Sequence, residues 1–171
     1  RKISARHGTR KVSQRVLVLS VGSPKQPGIV QSIRDYEARA GHYFALESIE
    51  VHTKKSGGAD PTRVRRDEAE VLLRRLPDDI ETCALTRNGR SCDTRGLADH
   101  LVRVANYGPA AGTAFVIGGA FGLDETVTET CRNRLSLSAL TFPHELARLV
   151  LAEQLYRVGT LLRGEPYHKG A

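Results

Sequence analysis

Short apolar runs rich in β-branched residues alternate along this chain with longer stretches whose apolar residues have helical spacing. Such alternation, with few hairpin signals, is typical of a mainly parallel sheet with helices on both faces. We therefore predict an α/β fold. The predicted strands are 16–21, 44–51, 82–85, 113–117 and 135–140, and the predicted helices are 29–40, 61–76, 94–106, 125–131 and 143–162.

The basic residues are distributed unevenly. The formal net charge is +7, but residues 1–15 contain six Lys and Arg residues and no acidic residue. The remainder is therefore nearly neutral, and an RNA-facing surface there would depend on local clusters such as Arg148 with Arg157. We expect a flexible basic extension over 1–15 and a single domain over 16–171.

Composition also bears on the compartment. No apolar run approaches the roughly 20 residues that span a bilayer, and no signal-peptide core is present. The three cysteines have neither CxxC nor Cys/His ligand spacing, which argues against a disulfide framework and against a metal site. We expect a soluble protein of a reducing compartment such as the cytoplasm, without a membrane segment. The basic residues 1–15 keep an organellar homologue as an alternative.

A glycine-rich bend follows the predicted strand 113–117, and a further strand then leads into a helix that Pro143 opens. The bend lacks the G-x-G-x-x-G order of a dinucleotide site, and the chain has no P-loop. Ser136 and Ser138 stand near His144 without a G-x-S-x-G elbow, so a hydrolase triad is disfavoured. His144 could make a structural hydrogen bond at the helix start or touch substrate. The pattern predicts a cofactor pocket built from loops.

Three motifs together carry a specific resemblance. They are GG-x-x-GL from Gly118, LSLSALTFPHELARLVLAEQLYR from Leu135, and PYHK from Pro166. In this combination, and over 16–169, the chain resembles the RlmH family of large-subunit rRNA pseudouridine N3-methyltransferases, which belong to the SPOUT class.

The resemblance implies a C-terminal deep trefoil knot, a rare exception to unknotted topology. It also implies a homodimer packed partly through the last helix, and S-adenosylmethionine bound in a bent form among three loops. The residues that it assigns to the cofactor are Leu85, Gly118, Gly119, Gly122, Leu137, Ser138, Ala139, Leu140, Thr141 and Phe142.

Methyl transfer to N3 of a pseudouridine in 23S rRNA requires loss of the N3 proton. The resemblance assigns His168 as the base, Tyr167 as a positioning group, and Arg157, oriented by Glu153, as the positive charge beside the developing anion. The assembled 70S ribosome is the favoured substrate because the nearly neutral domain offers few RNA contacts of its own. The predicted substrate-binding residues are His144, Arg148 and Lys169.

The chain departs from the family pattern at Thr86, where an acidic residue is common, and at Ala120, where some members have proline. Two alternatives remain at this point. One is a SPOUT methyltransferase that acts on tRNA and shares the cofactor site. The other is a non-catalytic RNA-binding protein, which would need no cofactor pocket.

Overall fold

A computed structural model describes residues 14–53 and 60–168. Within them the chain forms one five-stranded sheet in the order β2-β1-β4-β3-β5, and every neighbouring pair is parallel. The predicted parallel α/β fold is therefore confirmed. The elements are β1 Arg15–Val21, α1 Pro27–Ala40, β2 Ala45–Val51, α2 Pro61–Arg75, β3 Glu81–Ser91, α3 Thr94–Tyr107, β4 Thr113–Ile117, α4 Glu125–Thr130, β5 Asn133–Ser136 and α5 His144–Leu162, followed by a short 3-10 helix, Pro166–His168.

Apolar side chains alternate between the two faces of the sheet. On β4, Phe115 and Ile117 join one cluster, which α3 and α5 cover, whereas Val116 joins a second cluster against α2 and α4. All five residues of this strand are buried because helices cover both of its faces. The molecule is thus a three-layer sandwich with β1 and β4 at its centre.

Three helices begin at aspartate residues. The carboxylates of Asp60, Asp93 and Asp124 accept hydrogen bonds from backbone amides in the first turns of α2, α3 and α4. Such bonds satisfy amide groups that have no partner inside the helix, which fixes where each helix begins.

Two predicted strand ends were wrong. β3 does not end before the turn at residues 87–90; Leu85 and Arg90 both pair with Leu135, so the chain bulges outward and then rejoins the sheet. β5 ends at Ser136 and not at residue 140. Beyond it, Ser136 Oγ donates to the Ser138 carbonyl at 2.8 Å, and this local bond replaces strand pairing.

The basic extension falls largely outside the described residues, which begin at Gln14. Arg15, predicted to belong to that extension, is the first residue of β1 and pairs with Glu47 at 2.8 Å. None of the helices within 14–53 and 60–168 is long and apolar enough to cross a membrane.

Candidate active site

A cavity of about 410 Å³ opens at the bulge in β3 and at the ends of β4 and β5. Its walls include this bulge, the loops that follow β4 and β5, and the first turn of α5. Crevices at the carboxyl ends of parallel strands are the usual ligand sites of open α/β sheets, and this volume lies in the range of small-molecule pockets. The cavity is therefore the candidate cofactor site.

Nine of the ten residues predicted to bind the cofactor line this cavity, and Ala139 does not. They come from sequence positions far apart, since Leu85 precedes the bulge in β3, Gly118 follows β4, and Leu137 follows β5. The structure thus brings the predicted set together. The nine are Leu85, Gly118, Gly119, Gly122, Leu137, Ser138, Leu140, Thr141 and Phe142.

The bend from Gly118 to Gly122 needs glycine at two points, at one for lack of space and at the other for its backbone conformation. A Cβ on Gly118 would lie 2.7 Å from the backbone of Gly122 and Leu123. Gly122 has a φ of +78°, a conformation that other residues adopt with strain. Its amide donates to the Gly119 carbonyl at 3.1 Å, which closes the bend. Backbone groups therefore form this wall of the cavity.

The loop after β5 is held by its own serine. Ser138 Oγ accepts a hydrogen bond from the Leu140 amide at 3.0 Å, while the Ser138 carbonyl accepts from Ser136. Both hydroxyls stabilise the loop. Ser138 lies outside β5, although it was predicted to lie within the strand 135–140. Leu140 is 71% exposed at the cavity wall.

The bulge in β3 closes over β5. A Cβ on Gly89 would lie 2.5 Å from the Leu135 carbonyl carbon, so the two backbones are in direct contact. This contact needs the glycine, because any side chain would push the bulge away from the strand. Thr86, Arg87 and Asn88, which precede the glycine, reach the cavity wall.

His144 also lines the cavity, at the first residue of α5. Its Nε2 atom is buried and has no hydrogen-bond partner among the described residues. A buried ring nitrogen without a partner is costly, so the atom is available to a ligand in the cavity. The ring packs against the chain bend at Gly22, where a Cβ would lie 3.4 Å from Nε2.

The charge of the cavity wall is positive. Among the described residues that form it are two arginines, Arg87 and Arg134, and no aspartate or glutamate. Arg134 is oriented by a bond from Nε to the Thr128 carbonyl at 3.0 Å. Sequence reasoning missed both arginines because one lies in a segment with the composition of a turn and the other precedes the motif that carries the resemblance.

Three of the predicted catalytic residues form a separate cluster. Glu153 Oε1 accepts from Arg157 Nη2 at 2.5 Å and from the Tyr167 hydroxyl at 3.3 Å, and the Arg157 guanidinium stacks 4.9 Å from the Tyr167 ring centre. A hydrogen bond with Tyr36, together with burial, raises the pKa of Tyr167. The predicted orientation of Arg157 by Glu153 is present. None of the three lines the cavity.

Arg148 lies inside the protein and not at an RNA-facing surface. Its Nε bonds Glu37 at 2.8 Å and its Nη1 bonds Glu50 at 2.5 Å, and only 9% of its side chain is exposed. The guanidinium charge is therefore neutralised by carboxylates on α1 and β2. This placement does not favour the predicted contact of Arg148 with substrate.

Two predicted residues lie at the limit of the described chain. His168 ends the 3-10 helix one residue after Tyr167, and its side chain lies outside the described residues, as does the whole of Lys169. Within 14–53 and 60–168, no three His, Cys, Asp or Glu residues are grouped so that they could hold a metal ion.

Comparison with known proteins identifies the family. Residues 14–168 match the family described as "Predicted SPOUT methyltransferase". The chain is 46% identical to "Ribosomal RNA large subunit methyltransferase H" of Gemmatimonas aurantiaca over 155 residues, covering 91% of this chain and 99% of that protein. It is 38% identical over 158 residues to the protein of the same name from Listeria monocytogenes, covering 90% of this chain and 99% of that one.

A solved structure shares the fold. It is a probable methyltransferase from Bordetella pertussis Tohama I, with a TM-score of 0.54 and 22% identity over 88% of this chain and 97% of the other. The resemblance stated from the motifs at Gly118, Leu135 and Pro166 is confirmed by the curated relatives. The chain belongs to the SPOUT methyltransferase family.

Proposed function

We propose that this protein transfers the methyl group of S-adenosylmethionine to N3 of a pseudouridine in 23S rRNA. The observation that carries the proposal is the cavity at the bulge in β3 and the ends of β4 and β5, which nine of the ten residues assigned to the cofactor line. The names of the curated relatives support the large-subunit rRNA as substrate. This function places the protein with ribosomes in the bacterial cytoplasm.

The cavity fits the cofactor in its chemistry as well as its volume. The backbone of the bend from Gly118 to Gly122 can read an adenine edge without side-chain charge, and Leu85, Leu137 and Phe142 offer apolar contacts to the ring. When bound, S-adenosylmethionine supplies an electrophilic methyl group. The unpartnered Nε2 of His144 is then a hydrogen-bonding group for the cofactor or the RNA base.

The pairing around β5 supports a knotted chain. Leu135 faces both Leu85 and Arg90, and the bulge between those two residues passes over its backbone at Gly89. After β5 the chain turns back, and α5 packs against α1 and α3. We propose that the segment from β5 to α5 threads through the loop that begins at this bulge, which forms the trefoil knot.

The separation of the predicted catalytic residues from the predicted cofactor-binding residues supports a homodimer. Within one subunit Glu153, Arg157 and Tyr167 do not line the cavity. Leu146, Leu149 and Val150 of α5 remain only half-buried, which leaves apolar surface for a second subunit. We propose that two copies pack through α5 and that the cluster of one copy completes the cavity of the other.

The cluster has the charges that the reaction needs. Removal of the N3 proton creates an anion on the base, which the Arg157 guanidinium would stabilise while Glu153 fixes its orientation. Hydrogen bonding and burial raise the pKa of Tyr167, so its phenol stays protonated, and the hydroxyl can position the base by exchanging its long bond to Glu153 for one to the base. His168 follows directly in the chain and is proposed to accept the proton.

The first experiment tests the cofactor site with a matched pair. Thr141→Trp and Ala139→Trp introduce the same ring into one loop, at two exposed positions of which only Thr141 lines the cavity. Calorimetry should give S-adenosylmethionine binding for wild type and Ala139→Trp, and at least tenfold weaker binding for Thr141→Trp. A folded wild type that does not bind would contradict the proposal and favour a non-catalytic RNA-binding protein.

The second experiment tests the shared site and the substrate together. Thr141→Trp and Arg157→Met should each lack methyl transfer to 70S ribosomes as homodimers. Subunits exchanged between the two variants should regain activity, because a mixed dimer has one intact cavity with one intact cluster. Labelling of tRNA instead of 23S rRNA would identify the alternative substrate. Equal labelling of naked 23S rRNA and of ribosomes would reject the assembled particle as the required substrate.

A further inference from the structure

Glu68 on α2 is a buried acid that the proposed reaction does not use. The residue is 8% exposed and lies beside Ala69 and Leu72, which belong to the apolar core under the sheet. Its carboxylate accepts a hydrogen bond from the Gly119 amide. A Cβ on Gly119 would lie 2.6 Å from Oε1 and 2.9 Å from Oε2, so both oxygens pack directly against this glycine.

No cation balances this carboxylate within the described ranges. None of the ion pairs formed there includes Glu68, and its Oε2 atom is buried without a hydrogen-bond partner. Burial raises the pKa of this acid. A buried carboxyl group with one bond is less favourable than an aliphatic side chain of similar size, so Glu68 does not add to the stability of the core.

The single bond of Glu68 goes to a wall of the cavity. Gly119 lines the cavity, whereas Glu68 does not. The bend that contains Gly119 has glycine at three of its five positions, 118, 119 and 122, and glycine has the largest backbone freedom of any residue. A bond to the Gly119 amide fixes the orientation of the peptide plane shared with Gly118, because the peptide unit is planar.

We infer that Glu68 is a positioning residue that holds the bend from Gly118 to Gly122 in the shape that binds the cofactor. This inference rests on the proposed function, since it concerns the same cavity. It assigns to α2, on the opposite side of the glycine bend from the ligand, a role in cofactor affinity. The residue contributes to binding and is unfavourable for stability, which separates it from a structural residue.

The test uses two changes at Glu68 and a control on the exposed surface of the same helix. Glu68→Leu removes the acceptor, whereas Glu68→Gln keeps a side-chain oxygen that can accept from Gly119. Glu70→Leu is the control because Glu70 is exposed and its partner is Arg74, 3.6 Å away on the surface. Calorimetry gives the S-adenosylmethionine Kd, and urea unfolding gives the midpoint for each variant.

Glu68→Leu should bind the cofactor roughly 10- to 100-fold more weakly, as expected for loss of one charge-assisted hydrogen bond, with an unfolding midpoint equal to or above that of wild type. Glu68→Gln should stay within about threefold of the wild-type Kd, and Glu70→Leu should match wild type. In methylation assays Glu68→Leu should show a raised KM for the cofactor with kcat retained at saturation.

Several outcomes would overturn the inference. An unchanged Kd in Glu68→Leu would show that the bend keeps its binding shape without the hydrogen bond to Glu68. A Glu68→Leu variant that is unfolded or clearly destabilised would make the acid a structural residue. A wild-type protein that does not bind S-adenosylmethionine would instead reject the proposed function. If wild type and Glu68→Leu bind the cofactor equally well, only the inference about Glu68 fails.

Discussion

Replacement of Arg148 by methionine is the sharpest test of how the fold uses its buried charges. The change leaves Glu37 and Glu50 without the guanidinium that now lies 2.8 Å and 2.5 Å from them. Removing one partner of a buried ion pair costs about 3–5 kcal/mol. Glu50 is 31% exposed and keeps its bond from Ser23, so we expect a loss of about 3 kcal/mol, at the lower end.

Urea unfolding measures this loss directly. For a domain of this size it corresponds to a fall in Tm of roughly 6–12 °C. The loss should also depend on pH. Burial alone would raise the pKa of Glu50, but hydrogen bonds from Ser23 and Arg148 lower it. The stabilisation is therefore present above the unfolded value of 4.5 and is lost as pH falls through the lower folded pKa, so wild type and Arg148→Met should converge in acid.

Arg157→Met on the same helix is the control. Its guanidinium pairs only with Glu153 one turn away among the described carboxylates, and such a pair contributes about 0.3–0.5 kcal/mol. Arg157→Met should therefore lose activity and keep stability, while Arg148→Met should lose stability and keep activity at low temperature. A loss below about 1 kcal/mol for Arg148→Met, or a difference that persists in acid, would refute this reasoning.

Three further predictions concern the rim of the cavity, a helix cap and the thiols. Arg87→Glu with Arg134→Glu should weaken ribosome binding. The slope of log affinity against log salt concentration should become shallower by about 0.7–0.9 for each phosphate that the protein no longer neutralises, which filter binding across salt concentrations would measure. Asp124→Ala should cost about 1 kcal/mol by urea unfolding. Because hydrogen bonds from Thr126 lower the pKa of Asp124, that cost should be full above the unfolded value of 3.8 and fade at lower pH; a cost that grew in acid would contradict it. Cys83, whose pKa burial raises to about 12, should react with a thiol reagent only after unfolding, and rapid labelling of the native protein at this position by mass spectrometry would contradict the packing.

The order of strands and helices could be predicted because each buried element has a clear local pattern. Residues 113–117 form a continuous apolar run, and the structure has β4 at those bounds. The bulge in β3 was not predictable, since residues 87–90 have the composition of an ordinary turn. Only the distant strand β5 makes that segment return to the sheet, by pairing Leu135 with both Leu85 and Arg90.

The candidate site also has a part that could be predicted from the sequence and a part that could not. The cofactor residues of the glycine bend and of 137–142 were predictable from the motifs that carry the family resemblance, although 137–140 were expected to lie in a strand. Arg148 was misjudged, because an arginine on a helix resembles a surface residue until α1 and β2 bring Glu37 and Glu50 against it. Glu68 had no sequence signal either, since its contact with Gly119 joins elements about 50 positions apart and depends on burial.

The contact of Gly89 with the Leu135 backbone has a consequence for how the chain folds. The bulge can close over β5 only after that strand is in place, and the strand that carries the bulge lies between β4 and β5. Every one of these pairings is parallel and joins distant parts of the chain, which slows folding. We expect the last helix to dock late during refolding, so a C-terminal fusion partner should delay refolding more than an N-terminal one of the same size.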